Sequence, residues 1–568
     1  MSLLVFLVVC GSGAAVGLAV RPWRWLGRLV GLACLLGAFA AALTIGSATS
    51  LTIGDVTLTG SGYSGFFLAC AAGSGLLLCA VALASGWPDE LAPAALASFA
   101  GLAIAITAAD PGVALAAGAA AATAGALLIV RAAPRDSEGD GRLAEIRTIG
   151  LVAAGLGFAA ITIARPPWNG RDDGPVFALA FLILGLALAV RSGAVPFHVP
   201  AARLGSTAAP LSPAMLLVWL PAGLAVLAIS WSATTFGIRS DWLDASVAVV
   251  QVAAVATLVL GPLAALVHDE LEEVVAYSIV TDAGFVLLAM AARTDSAAEP
   301  ARLWLLVFVA AKTGLVAWAA GLSRAFGTSN VPRLRGWLRR TPLLGLALAG
   351  IAVATLGWPG SPVYEARSTL IRLALPGWLQ FVFAATIVLA VAGYARLLLI
   401  GLGSPTEAIC LGRSELPRWH AVGPEPSGDA ATTAPAATLE SGAEPGGEPA
   451  AGPGVGRRLA EAWRLNRTTG VSLVIVAGAA LSAALALGGL GTSNASRSGI
   501  PLDGAAHATP TRAPTPSPVH APTPTPLPSL APRPTPAPSG PVTPSGSPPP
   551  SASPAPIKTS PPAQPNTD

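Results

Sequence analysis

Apolar runs of about twenty residues recur along almost the whole chain, and they restrict its fold more than any other feature. A hydrocarbon layer about 30 Å thick is crossed by about 20 helical residues. Stretches such as "SLLVFLVVCGSGAAVGLAV" at 2–20 and "DASVAVVQVAAVATLVLGPLAALV" at 244–267 have that length. In lipid an unpaired backbone N–H or C=O is too costly, which leaves helices or a closed barrel. Unbroken Leu/Ala/Val runs lack the in–out alternation of a barrel strand. Only 11% of the residues are charged, less than half the roughly 25% of a soluble domain. The sequence predicts an all-α polytopic membrane protein.

Fourteen candidate transmembrane spans follow: 2–20, 29–47, 65–86, 91–109, 111–131, 148–165, 174–195, 212–232, 244–267, 274–292, 302–323, 341–373 (broken), 377–401 and 469–490. The first lacks a basic segment before it, so it is expected to be a retained span and not a cleaved signal peptide. Arginines cluster after odd-numbered spans: Arg21, Arg24 and Arg28; Arg131, Arg135, Arg142 and Arg147; Arg324, Arg333, Arg335, Arg339 and Arg340. Basic loops stay cytoplasmic, which predicts both termini outside and a plasma-membrane location. The chain divides into three N-terminal spans (1–89), a core (90–401), a Gly/Pro/Ala/Glu-rich cytoplasmic linker (402–468), a last span (469–490) and a Pro-rich tail (491–568). Linker and tail are expected to be disordered, the tail as an extended spacer.

A net charge of +3 is too small and too scattered to suggest nucleic acid. The five cysteines show no metal-ligand spacing, and four lie in apolar runs where a thiol packs as a small hydrophobe. The informative residues are ionisable groups within the oil, each a functional candidate because it is costly there. Lys312, one of only two lysines, lies near the middle of "LWLLVFVAAKTGLVAWAAGL". Asp282 sits inside the tenth span. Arg191 closes the seventh, ahead of "SGAVPFHVP", where Pro196 and Pro200 flank His198. Arginine holds its proton at any working pH and sets a field, whereas histidine can relay protons. A snorkelling Arg191 and a loop-capping His198 are the plain alternatives. The twelfth span breaks at "GWPGSPVYEAR", after which Glu365, Arg367 and Arg372 follow at helical spacing. The acidic turn "VHDELEE" reads as a proton-collecting cluster, a dock for a basic partner, or a solvated turn. Two Pro-interrupted spans in corresponding places point to inverted repeats with a midplane site. Spans four to eight and nine to thirteen would be the two five-helix halves, with spans 7 and 12 broken.

These motifs together resemble the antiporter-like, proton-translocating membrane subunits of NADH–quinone oxidoreductase, shared with Mrp-type cation/proton antiporters and membrane-bound hydrogenases. "RSGAVPFHVPAARLGSTAAPLSPAM" resembles the family's broken seventh helix and the start of its eighth. "HDELEEVVAYSIVTDAGFVLLAM" resembles its N-L-K-R-L-L-A-Y-S-S-I-x-H-x-G-Y segment, and "LAGIAVATLGWPGSPVYEARSTL" its broken twelfth helix. The match covers roughly residues 90–400. The resemblance implies a broken seventh helix that admits water beside a titratable lysine, whose position here is Arg191. It places the twelfth-helix lysine near Ala366 or Arg367, and Lys312 resembles a mid-helix lysine found in some branches. This chain departs from the pattern in its fifth span, which has no carboxylate, in its eighth, which has no lysine, and in "ELEE", which reverses a basic turn.

The resemblance therefore implies a divergent subunit with proton-path candidates Lys312, Arg191, His198, Asp282, Glu365 and Arg367. It implies no redox centre or cofactor in this chain: quinone and NADH would be handled by partner subunits of a respiratory complex in the lipid bilayer. Loss of titratable groups implies conduction weakened or lost in the first half. A non-conducting scaffold subunit is the alternative, and a stand-alone cation/proton antiporter ranks behind both.

Overall fold

The computed structural model describes residues 2–46, 49–85, 90–132, 139–163, 174–199, 202, 211–234, 241–404 and 455–488, all within one compact unit, Met1–Pro510. The chain is mostly helical. Its helices are α1 (Ser2–Ala19), α2 (Arg24–Leu43), α3 (Gly62–Ser85), α4 (Leu91–Thr107), α5 (Pro111–Ala132), α6 (Gly139–Ile163), α7 (Gly174–Ser192), α8 (Leu220–Thr234), α9 (Asp241–Val267), α10 (Leu271–Ala292), α11 (Asp295–Phe326), α12 (Pro342–Leu356), α13 (Pro362–Ala374), α14 (Phe381–Leu402) and α15 (Val455–Gly488). Among the described residues, ten helices are long and apolar enough to cross a membrane. Four apolar stretches are shorter: Leu91–Thr107, Ile146–Ala160, Ala214–Ser230 and Pro342–Leu356.

Two features differ from the sequence expectation. A hairpin, β1 (Ser50–Ile53) and β2 (Val56–Thr59), lies between the second and third spans, where no strand is expected. Its sequence "SLTIGDVTLT" alternates, and Gly54, at φ 60°, supplies the positive φ of a two-residue turn. The last helix begins at Val455, so its first turns occupy what reads as linker: "RRLAEAWRL" is rich in good helix formers. The rest of that linker, 405–454, and the tail from 489 lie outside the described residues. The twelfth span is broken as expected, into the two helices α12 and α13.

The core follows from which helices are apolar all round. In α10 and α11, 94% of the apolar stretch is buried, against 17% in α14. The former two are the central pair, and α14 is peripheral. Small residues bring helices close elsewhere. A side chain at Gly125 of α5 would collide with Ser98 of α4, and one at Gly101 of α4 with Ala121 of α5. Close approach through small residues is how helices associate where lipid gives no hydrophobic drive. The last helix packs the same way: Gly321 of α11 meets Ile475, and Gly350 of α12 meets Ala479.

Proline shapes two further elements. A π-helical turn, Ala214–Trp219, precedes α8 just ahead of Pro221, whose missing N–H cannot continue an α-ladder. Within α9, Pro262 leaves the carbonyl of Leu258 without its usual donor, and Thr386 Oγ1 of α14 donates to that oxygen at 3.1 Å.

Candidate functional site: a buried ion cluster at a broken helix

The break between α12 and α13 is built by four residues. Gly357 ends α12 at φ 70°, and Gly360, at φ 86°, turns the chain again. Ser361 then caps α13, its Oγ accepting from Tyr364 N at 3.3 Å and from Trp358 N at 3.1 Å; Pro362 opens the helix. The last carbonyls of α12 have no helical partner of their own. Arg367 reaches back from α13 to supply one: its Nη1 donates to Thr355 O at 2.7 Å and to Leu356 O at 3.1 Å. A cation at a helix C-terminus also suits the macrodipole.

The same guanidinium faces Asp282 of α10, with Nη2 3.9 Å from Oδ1. It lies over the Phe285 ring at 4.3 Å and the Trp304 ring at 5.0 Å. Asp282 in turn holds Lys312 of α11, whose Nζ sits 2.6 Å from Oδ2 and donates to Ser278 Oγ at 2.8 Å. Ser278 and Asp282 are one helical turn apart and share a face. The side chains of Lys312, Asp282 and Arg367 are only 1–3% exposed. Two cations thus share one carboxylate in the most buried part of the molecule. Beside them is a small cavity of about 40 Å³, whose polar lining is Ser278, Thr281, Asp282, Lys312, Thr355, Arg367 and Tyr394.

The other expected residues lie apart from this cluster. At the first break, α7 ends at Ser192, Gly193 turns the chain at φ 68°, and Val195 N donates to Thr257 Oγ1 of α9 at 3.0 Å. Arg191 is buried in the last turn of α7, at 2% exposure. His198 is partly buried beyond the break, its ring 6.4 Å from that of Tyr277. Tyr277 stacks at 4.7 Å on His268, whose Nε2 is 3.7 Å from Glu273. Glu365 is exposed on α13: two residues before Arg367, it points to the other side of the helix.

The acidic turn is tied down at two of its residues. Asp269 pairs with Arg396 of α14 at 2.6 Å, and Glu270 accepts from Ser329 Oγ at 2.6 Å and Asn330 Nδ2 at 3.3 Å. Arg396 also caps α9 through Leu266 O and His268 O. Sequence reading picks out the three ions but misses Ser278, Phe285, Trp304 and Tyr394. Ser278 and Phe285 share a face of α10 with Asp282, while Trp304 and Tyr394 come from α11 and α14, and the four meet only in the packed bundle.

Residues 152–393 match the family model of the NADH:quinone oxidoreductase/Mrp antiporter transmembrane domain. That stretch is antiporter-like. NAD(P)H-quinone oxidoreductase subunit 2 of Rippkaea orientalis is 31% identical over 233 residues, covering 40% of this chain and 43% of the relative. NADH-quinone oxidoreductase subunit N of Cereibacter sphaeroides is 30% identical over 250 residues, 43% of this chain and 52% of the relative. The chain spans about half the length of these relatives. Among solved structures, a chain of respiratory complex I from Thermus thermophilus superposes with a TM-score of 0.56 at 20% identity, over 72% of this chain and 91% of that one. A chain of the Mrp complex from Dietzia sp. DQ12-45-1b gives 0.63 at 18% identity, over 88% and 98%. Both likenesses concern the fold. The antiporter-like match begins in α6, later than residue 90, and takes in both breaks and the whole ion cluster.

Proposed function

We propose that this chain is a membrane subunit of a respiratory NADH–quinone oxidoreductase-like complex and that it moves protons through its second half. The observation that carries this reading is the Lys312–Asp282–Arg367 cluster beside the α12–α13 break. Arg367 keeps its proton at any working pH, so it remains the permanent counter-ion of Asp282. Lys312 is then free to exchange a proton: protonated, it shares Asp282 with Arg367; deprotonated, it leaves a neutral Arg–Asp pair behind.

The proposal includes two inverted five-helix repeats among fourteen spans, α4–α8 and α9–α14, each broken in its fourth helix. In support, both breaks place a positive-φ glycine directly after the helix end, Gly193 after Ser192 and Gly357 after Leu356, with a proline soon after. NADH and quinone would be handled by neighbouring subunits, with this chain holding no cofactor. Both termini would lie outside the plasma membrane. A non-conducting scaffold is the second reading, favoured by the absence of any carboxylate in α5, which packs tightly on α4 through Gly125 and Gly101.

The test is NADH-driven proton uptake in inverted vesicles, comparing wild type with Lys312→Met after pull-down shows an assembled complex. A lower pumped yield with assembly intact is expected. An unchanged yield in an intact complex rejects conduction through Lys312 and leaves the scaffold.

A further inference from the structure

The ion cluster leaves one carboxylate of the broken helix unused, and that carboxylate points out of the bundle. Asp282 lies midway along α10 and Lys312 midway along α11, so the cluster they form with Arg367 sits at half the height of the central pair. Glu365 precedes Arg367 by two residues on α13, a rise of about 3 Å, and is therefore at the same level. It is exposed, on the side of α13 away from the buried Val363, Ala366, Arg367 and Leu370. Ser368 Oγ donates to its backbone carbonyl at 3.1 Å, but among the described residues its carboxylate has no hydrogen bond and no ion pair.

Glu365 opens a polar stripe. Ser368, Thr369 and Arg372 follow it three, four and seven residues later, on one face of the helix. Arg372 is exposed, its Nη2 donating to Thr369 Oγ1 at 2.8 Å. The outer side of α14 is quite different: Phe381, Val388, Val391 and Leu399 are 45–68% exposed, and all are apolar. That is a surface made for hydrocarbon. A carboxylate at mid-bilayer is costly unless it is paired or hydrated. The nearest membrane surface is about 15 Å away, out of reach of so short a side chain. So α14 faces lipid, and the outer face of α13 is covered.

Charge complementarity selects what covers it. Lipid headgroups do not reach this depth. A second copy of this chain, related by a two-fold axis along the membrane normal, would set Glu365 against Glu365 and Arg372 against Arg372. Like charges repel strongly where the dielectric is low. We infer that the Glu365 face of α13 docks a transmembrane helix of a different, neighbouring subunit, one that carries a lysine or arginine in the middle of its span. That basic group pairs with Glu365, and a hydrogen-bond acceptor about 10 Å further along the partner helix meets Arg372. The inference rests on the chain being a subunit of a complex, as proposed above, and requires no proton movement.

The experiment is photo-crosslinking in native membranes, with p-benzoylphenylalanine in place of Thr369 on the stripe or of Val388 on α14, followed by peptide mapping. Expected at Thr369 is an adduct with a membrane-spanning peptide of another subunit that has a basic residue within its apolar stretch, in at least tenfold higher yield than at Val388. Glu365→Lys is then expected to lower co-purification of that subunit about tenfold or more, and exchange of the partner's basic residue for glutamate to restore it. Glu365→Ala, which creates no new charge, gives the same loss in smaller degree and serves if the lysine variant does not accumulate. Adducts with lipid alone, with a second copy of this chain or with a span lacking a basic residue each overturn the inference. So do equal yields at the two positions, or charge reversal without rescue. An unsubstituted chain that purifies with no other subunit rejects the subunit reading itself, whereas an intact complex with lipid adducts at Thr369 rejects only this surface.

Discussion

Asp282 carries more of the site than its single charge suggests, since it is the one carboxylate between two buried cations. Removing one partner from a buried ion pair leaves an uncompensated charge and costs about 3–5 kcal/mol. Asp282→Asn is therefore expected to lower thermal stability in detergent by that order, measured as a loss of melting temperature. Lys312→Met keeps the Arg367–Asp282 pair and is expected to cost clearly less; equal losses would show that the carboxylate is not the shared partner. Arg367 is not replaceable by lysine. Its Nη1 caps two carbonyls while Nη2 faces Asp282 and the plane covers two rings, and a single ammonium cannot do this. Arg367→Lys is expected to lose about 1–3 kcal/mol and to lower the proton yield. Melting identical to wild type would rule out the capping role. At this scale the sequence identifies Lys312, Asp282 and Arg367 by their cost in lipid, but it cannot name the residues that accommodate them. Trp304 and Phe285 look like ordinary core aromatics in the sequence and become cation partners only through packing.

Among the elements, the α12–α13 break and the α4–α5 contact show how local chemistry sets local geometry. Ser361 is the cap on which α13 starts, so Ser361→Ala is expected to cost about 1 kcal/mol, read from denaturation of the purified protein. A shift of that size accompanied by a loss of proton yield would tie the break to conduction. Gly357 tolerates no side chain: its φ is 70° and a Cβ would sit 3.0 Å from Tyr364 N. In α5, Gly125→Leu is expected to disrupt packing against Ser98 and lower the melting temperature, whereas Gly150→Leu on α6 meets open space and is expected to be neutral. Equal effects would mean that close helix approach does not hold α4 to α5. The breaks are legible in the sequence because Gly and Pro act locally. The hairpin Ser50–Thr59 is overlooked where apolar run length is the signal sought, since its four-residue strands are far too short to register.

Across the whole molecule the two halves differ in what they can do with a proton. The first break has Arg191 and His198 but no carboxylate in α5 to work with; the second has a complete lysine–aspartate–arginine set. In inverted vesicles, His198→Gln is therefore expected to leave the pumped yield unchanged while Lys312→Met lowers it. The opposite pattern would place conduction in the first half. The sequence by itself determined the membrane class, the helical fold and the two broken spans, because bilayer thickness and the cost of unpaired backbone act on every stretch of chain independently. The tertiary structure alone decided that Asp282, Lys312 and Arg367, from three different helices, share one buried site while Glu365, two residues from Arg367, faces outward. Such pairings depend on how helices rotate and pack against one another, which no local pattern of residues encodes.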